Sequence, residues 1–341
     1  MTADDDIAAR LQLINTEGIG PVGFKRLLAR FGSAEEALRE TAAKKKVPSR
    51  QWAEEELERV RSFGAVVLSS ADPRYPQKLS ELDDAPPLLY VKGNIALLNH
   101  RPAVAVVGTR NATIIGRKLT SKISFELTEN DVLIVSGMAR GIDAAAHKGA
   151  MYAKERRGPT IAVLGTGIDR IYPPENEELY HQIGEQGLLV SEYPMGTNAQ
   201  SGNFPRRNRI VAALSEAVLV AEATGKSGSL ITARMAADRN RLIFAIPGSP
   251  GEARSEGPNS LLRRGALWAE NAADILNVLN SKIRPEPLRP TDGGECDLFT
   301  KTLDNLQKTA DIPPVKNCDK NSILAYLSAE GTDTDLSLIH I

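Results

Sequence analysis

The chain is poor in cysteine. Only Cys296 and Cys318 occur among 341 residues, and neither belongs to a CxxC pair. This spacing argues against a disulfide scaffold and against a structural zinc site. We predict no bound metal and no small-molecule cofactor.

Long apolar runs and a leader segment are also lacking. No run of about 18 apolar residues occurs that could span a membrane. The opening residues, MTADDDIAARLQ, are acidic and hold no apolar segment of signal-peptide length. We therefore expect no membrane association and a cytoplasmic location in a reducing compartment.

Excess charge of one sign is absent as well. Lys and Arg total 42 and Asp and Glu total 43, so the formal net charge is -1. The chain as a whole is not a basic protein. Any surface for nucleic acid must therefore be a local patch.

Short apolar runs alternate with helical stretches over most of the chain. Helical stretches at 116–130, 141–154 and 229–240 separate several of these runs. Continuous apolar strands that alternate with helices predict an α/β domain with a doubly wound parallel sheet, covered on both faces. The predicted strands are 65–70, a strand ending at 93, 103–108, 131–137, 160–165, 187–192, 217–222 and 241–248.

Composition divides the chain into four predicted segments. They are a helical N-terminal domain at 1–62, the sheet domain at 63–280, a linker rich in Pro, Gly and charge at 281–316, and a short segment with one amphipathic helix at 317–341. In the first segment, glycines at 18 and 20 predict a helix, a tight turn and a second helix. That turn is either a phosphate site or a purely structural hairpin.

Glycines and polar residues follow the strands at their carboxyl ends, where ligands bind in such sheets. These residues could simply end the strands as turns. Four such loops at one sheet edge nevertheless favour a phosphate-rich ligand. They are Gly108-Thr109-Arg110, Ser136-Gly137, Gly165-Thr166-Gly167 and Glu222 to Gly228.

Two nucleotide-binding fingerprints can be tested against these loops, and both fail. Arg110 stands where the GxGxxG motif needs its second glycine. Val220 stands where the P-loop motif needs its first glycine. The Gly-Lys-Ser-Gly-Ser turn at 225–229 still places a lysine, two hydroxyls and free N–H groups before a helix, which predicts an anion site.

The segment Phe204 to Ile210, FPRRNRI, is the most informative one, and we predict it just before a helix. Residues 200–245 carry seven Lys and Arg against three Asp and Glu. Arginines hold phosphates and an aromatic ring stacks on a base, so the segment predicts binding of single-stranded nucleic acid. The alternative is an ordinary solvated basic face.

Residues suited to catalysis are few. Asp143 lies four residues before His147, so the two share a helix face and could form an acid–base couple. A structural contact is the more common use of such a pair. No nucleophile or metal cluster accompanies it, and we therefore predict no catalytic residues.

In their unbroken order, several motifs resemble the bacterial DNA-processing protein A family, also called DprA or Smf. The resemblance covers about residues 72–276. The matching segments are YPQKL, DDAPPLLYVKGN, VAVVGTRNAT, SGMARGIDAAAH, VLGTGIDRIYPPEN, SEYPMGT, FPRRNRIVAALS, GKSGSLITA and IPG with EGPNSLLRRGA.

This resemblance implies an extended Rossmann fold and a non-enzymatic protein of natural transformation. Such a protein binds and protects single-stranded DNA, helps to load the RecA recombinase, and acts as a homodimer. It also implies that 317–341 is an incomplete winged-helix-like segment. With the strand-end loops, it assigns DNA binding to Gly108, Thr109, Arg110, Ser136, Gly137, Arg140, Phe204, Arg206, Arg207, Asn208, Arg209, Gly225, Lys226, Ser227, Gly228 and Ser229.

The alternative function is that of a nucleotide-processing enzyme. Phosphoribohydrolases that activate cytokinins form a related Rossmann group with an active site at the same sheet edge. Their PGGxGTxxE signature is missing here, where the corresponding loop is Thr224 to Ser229. Release of free base from a nucleoside monophosphate would distinguish the two functions.

Overall fold

Four helices precede the sheet. The structure is a computed structural model that describes residues 3–100, 102–153 and 160–281. Ser33 and Ser49 begin the third and fourth helices by accepting backbone N–H groups at 3.2 and 3.1 Å, which satisfies donors that a helix start leaves unpaired. The glycine turn at 18–20 separates the first two, as predicted. The helices are α1 Ala3–Ile14, α2 Pro21–Phe31, α3 Ala34–Ala42 and α4 Arg50–Ser62.

Nine strands of the described residues form one sheet. They are β1 Val66–Ser69, β2 Leu88–Gly93, β3 Ala103–Val107, β4 Leu133–Ser136, β5 Thr160–Val163, β6 Leu188–Ser191, β7 Ala217–Val220, β8 Leu242–Ala245 and β9 Leu267–Trp268. Their order in the sheet is β1-β2-β6-β5-β4-β3-β7-β8-β9. The pairings from β6 through β9 are parallel, which confirms the doubly wound α/β fold. β2 is antiparallel to both β6 and β1.

Helices cover both faces of this sheet. Helices α6, α7, α8 and α12 pack on one face, while α5, α9 and α10 pack on the other. The helices of this part are α5 Gln77–Ser80, α6 Ile114–Glu129, α7 Ile142–Met151, α8 Glu177–Gln186, α9 Asn203–Ala213, α10 Gly228–Ala237, α11 Glu256–Arg263 and α12 Ala272–Asn280. Two short 3-10 helices, Ile95–Asn99 and Pro174–Asn176, complete the set in the described ranges.

Alternate strand residues supply the two halves of the core. In β3, Val104 and Val106 face α6 and α7, whereas Ala105 faces α9, and all three are buried. Such two-sided burial explains why the strands are continuous apolar runs.

The N-terminal helices join the same core. Leu11 of α1 and Leu57 of α4 belong to one apolar cluster with Leu88 and Tyr90 of β2. The buried carboxylate of Glu56 also accepts a hydrogen bond from the backbone N–H of Met195 at 2.7 Å. Helices and sheet thus share buried apolar surface.

Some predictions concern residues outside this description. The linker beyond Ser281, the segment 317–341 and both cysteines lie there. Within the described ranges, no helix combines the length and the apolar character needed to cross a bilayer. The same ranges contain no cluster of three or more His, Cys, Asp and Glu side chains arranged to hold a metal.

Candidate nucleic-acid interface

A pocket of about 180 Å³ opens at the carboxyl edge of the sheet. The loops after β3, β4 and β5 converge there with α9, as expected for ligand sites in parallel sheets. Five of the residues assigned to DNA binding line it: Arg110, Gly137, Arg140, Phe204 and Arg207. The others are Ala139, Leu164, Gly165, Thr166, Tyr172, Pro173, Pro174 and Glu175.

Arg110 is one of the exposed cations of the pocket. Its loop is held because the Thr109 N–H donates to the carbonyl oxygen of Glu222 at 2.6 Å. The guanidinium carbon lies 5.2 Å from the centre of the Phe204 ring. This stacked position leaves the N–H groups of the guanidinium accessible to an anion such as a phosphate.

Two aromatic rings line the pocket together. The ring centres of Tyr172 and Phe204 are 5.4 Å apart, and the ring planes are inclined by 35°. Tyr172 is 40% exposed, so part of its ring is open to a planar ligand. Sequence reasoning missed Tyr172, although an aromatic residue in the loop after a predicted strand was the available signal.

Arg207 lines the inner side of the pocket, where the residue is only 4% exposed. Its guanidinium donates hydrogen bonds to the carbonyl oxygens of Gly137 and Val163, at the ends of β4 and β5. Any side chain at position 137 would collide with this guanidinium, which explains the glycine. Burial lowers the pKa of Arg207, while the nearby carboxylate of Asp143 raises it.

Asp143 is buried behind the same arginine. Burial raises the pKa of Asp143, and the positive charge of Arg207 lowers it. His147 is also buried, and its Nδ1 lies 2.7 Å from the hydroxyl oxygen of Thr160. Desolvation lowers the pKa of His147 to about 3. Asp143 and His147 are thus both buried, and neither lines the pocket.

The basic segment 204–210 lies inside α9, which begins at Asn203. The prediction that it precedes a helix was therefore wrong. Because a helix turns its residues to different sides, Arg206 is exposed while Arg207 and Arg209 are buried. Arg209 forms ion pairs with Glu192 at 2.7 Å and with Asp84 at 2.9 Å.

Ser136 is fully buried, and its hydroxyl donates to the carbonyl oxygen of Val106 at 2.6 Å. Gly108 at the end of β3 is half-buried. Arg140 is exposed and forms an ion pair with Glu175 at 3.3 Å. The predicted polar residues around the pocket therefore divide into two layers. Arg110, Arg140 and Arg206 form an exposed layer, and Ser136, Arg207 and Arg209 form a buried layer below it.

The turn at 225–229 begins α10 but does not line the pocket. Lys226 is exposed, and the Ser227 hydroxyl caps the helix by accepting the N–H of Ser229 at 3.4 Å. The carboxylate of Glu256 accepts the N–H of Gly225 at 3.1 Å. Asn208 connects α9 to this turn, because its amide donates to the carbonyl oxygen of Gly228 at 3.4 Å.

Two family models match the chain. The one described as DNA recombination-mediator protein A covers residues 66–280. The chain belongs to this family. A second, described as a DprA-like N-terminal HHH domain, covers residues 4–58. The resemblance seen in the sequence motifs is thereby confirmed.

Curated members of the DprA family are similar over most of their length. Protein Smf from Synechocystis is 41% identical over 296 residues, which is 79% of this chain and 72% of that protein. DNA processing protein DprA from Streptococcus pneumoniae is 47% identical over 208 residues, 61% of this chain and 72% of its own length.

Solved DprA structures have the same fold. The crystal structure from Streptococcus pneumoniae has a TM-score of 0.70 and 34% identity, and covers 79% of this chain and 97% of its own. The structure from Helicobacter pylori, solved to explain how that protein binds single-stranded DNA, has a TM-score of 0.57 and 33% identity. It covers 63% of this chain and 95% of its own.

Proposed function

We propose that this protein binds single-stranded DNA at the carboxyl edge of its sheet and acts there as a binding protein rather than as an enzyme. The observation that carries the proposal is the stacking of Arg110 on Phe204 at the pocket. It places a cation that can bind a phosphate beside an aromatic ring on which a base can stack. Proteins that bind single strands combine these two kinds of contact.

The size of the pocket supports this ligand. Its volume of about 180 Å³ lies below the roughly 300–1,000 Å³ common for drug-sized ligands. A single base inserted from a longer strand suits such a pocket better than an enclosed dinucleotide. Base contacts through ring faces are tolerant of sequence, so we expect little sequence preference.

The residues of the exposed layer are the proposed DNA contacts, with Arg206 and the turn at Lys226 extending the pocket. The buried residues Ser136, Arg207 and Arg209 are proposed to support them from below. Among the described residues that line the pocket, Glu175 is the single carboxylate, and it is already paired with Arg140. This arrangement favours binding over hydrolysis of a nucleotide.

Membership of a recombination-mediator family extends the proposal from DNA binding to a role in recombination. We propose that the protein protects incoming single strands during natural transformation, helps to load the RecA recombinase onto them, and works as a homodimer. The family description supports the recombination part of this assignment, and the DprA relatives support the part in DNA processing.

A salt-resolved binding titration tests the proposal. The protein should bind a labelled oligothymidylate more tightly than a blunt duplex, with affinity that falls steeply between about 50 and 200 mM salt. Arg110→Ala or Lys226→Ala should weaken binding and lower the salt slope by about 0.7 each, the value for one phosphate contact on a single strand. Exposed Arg263, which does not line the pocket, supplies the matched control Arg263→Ala.

Two outcomes would contradict the proposal. The first is equal affinity for the duplex, or binding that salt does not affect. The second is release of free base from a nucleoside monophosphate by the purified protein, which would support the alternative function of a phosphoribohydrolase.

A further inference from the structure

A second concave surface is formed by α6 and α7, the two helices that cover one face of the sheet. This α6–α7 groove has a volume of about 690 Å³. On the α6 side it is lined by Arg117, Lys118, Ser121, Lys122 and Phe125. On the α7 side it is lined by Ala144, Ala145 and Lys148, and by Tyr152 directly after the helix. On each helix these residues recur at intervals of three or four, which places them along one side of the helix.

The two walls of the groove are held at a fixed distance. Gly149 of α7 lies directly against the backbone of Ser121 in α6, so that a side chain at position 149 would collide with the Ser121 carbonyl group. This close backbone contact sets the spacing between α6 and α7. The groove is therefore a preformed feature of the two helices.

The groove concentrates positive charge in a nearly neutral chain. Five of its lining residues are cationic, counting Arg140, and Glu175 is its one acidic lining residue in the described ranges. Lys122 forms an exposed ion pair with Glu126 at 3.7 Å, a kind of contact worth about 0–1 kcal/mol. Within the described part of the chain, Lys118 and Lys148 have no ion pair at all.

Aromatic rings are interleaved with these cations. Phe125 is 37% exposed and Tyr152 is 65% exposed. An ordinary solvated basic face has no need of exposed aromatic rings, whereas a surface that tracks a single strand uses cations for phosphates and rings for bases.

The groove is continuous with the pocket at the sheet edge. Arg140 and Glu175 line both. Their side chains are 56% and 57% exposed and 3.3 Å apart. Such a surface ion pair is weak enough for a strand to displace.

We propose that a single strand leaving the pocket crosses the Arg140–Glu175 pair and continues along the α6–α7 groove, with phosphates on Lys118 and Lys148 and bases against Phe125 and Tyr152. This inference rests on the proposed function and extends it. The bound strand is then longer than the pocket alone accommodates. The pocket holds one end of the bound segment, and the groove holds the other.

Oligonucleotide length separates the two sites. Full-length protein is titrated with oligothymidylates of about five and about 20 nucleotides, lengths chosen around common single-strand site sizes. The double variant Lys118→Ala/Lys148→Ala should bind the 20-mer roughly tenfold more weakly, with a salt slope lower by about 1.4. Its affinity for the 5-mer should equal that of the wild type. The control Arg263→Ala/Arg264→Ala removes the same charge from exposed residues outside the groove.

A second readout reports on the groove directly. A tryptophan introduced by Tyr152→Trp should be quenched by the 20-mer and not by the 5-mer. If the double variant binds the 20-mer as tightly as the wild type does, while Arg110→Ala still binds it weakly, the proposed path along the groove is wrong and the proposed function stands. The cations of the groove would then serve another class of partner, such as an acidic protein. Failure of the wild type to bind either oligonucleotide would overturn the proposed function and the groove together.

Discussion

Replacing Arg207 by methionine should destabilise the protein without removing a phosphate contact. The substitution keeps the apolar stem and deletes the buried guanidinium. The carbonyl oxygens of Gly137 and Val163 then lose their donor, and each unsatisfied buried group costs about 1–3 kcal/mol. Asp143, which is buried beside the arginine, also loses a nearby positive charge.

These losses together amount to about 3–5 kcal/mol, the usual cost of breaking a buried charged arrangement by removing one partner. For a domain of this size, the melting temperature should fall by roughly 10 °C. Arg206→Met is the matched control, because Arg206 is exposed in the same helix. Its free energy of unfolding should stay within about 0.5 kcal/mol of the wild type.

Chemical denaturation and a single-strand titration below the melting transition provide the measurements. The salt slope of Arg207→Met should equal that of the wild type. Asp143→Asn should make the loss of Arg207 less costly, with a coupling of about 0.5–3 kcal/mol in the double-mutant cycle. A variant that melts like the wild type but shows a reduced salt slope would refute the supporting role and identify Arg207 as a phosphate ligand.

Two further predictions follow from the pocket and from the buried histidine. Phe204→Ala should weaken single-strand binding by about 1–3 kcal/mol, the value of one stacked base. Its salt slope should not change in the same titration, and a parallel fall in slope would point instead to misplacement of Arg110. Burial lowers the pKa of His147 to about 3. The imidazole therefore stays neutral in the folded protein, whereas the unfolded chain protonates it below about pH 6.5. The free energy of unfolding should therefore decrease by about 2 kcal/mol from pH 8 to pH 5. His147→Gln should lack this part of the decrease in urea titrations; identical pH dependence in both proteins would contradict the assignment.

The strands were predictable because two-sided burial leaves a simple pattern. All five residues of β3 are buried, and the sequence there is an unbroken apolar run. Strand direction leaves no such pattern, so the antiparallel pairings of β1 and β2 were not predicted. β9 contains only Leu267 and Trp268, which is too short for any periodicity to appear.

The site was predicted in part. The predicted site differs from the observed one chiefly because α9 begins at Asn203, before the basic segment rather than after it. A loop would leave all three arginines of the segment 204–210 free, whereas a helix buries those on its inner side. The start of α9 lacks a side-chain cap at Gly202, so the usual N-terminal signal is missing. Pro205 lies in the first turn of α9, where a helix tolerates proline, so it is compatible with a helix that starts at Asn203.

The cluster shared by the N-terminal helices and the sheet has a consequence for how the molecule unfolds. Leu11 and Leu57 cannot leave the sheet without exposing Leu88 and Tyr90 to water. The N-terminal helices and the sheet should therefore open as one cooperative unit in hydrogen exchange. Glu56 adds a mechanical coupling, because it holds the backbone of Met195 in the loop after β6. A load applied to α4 would thus be transmitted to the loop that follows β6.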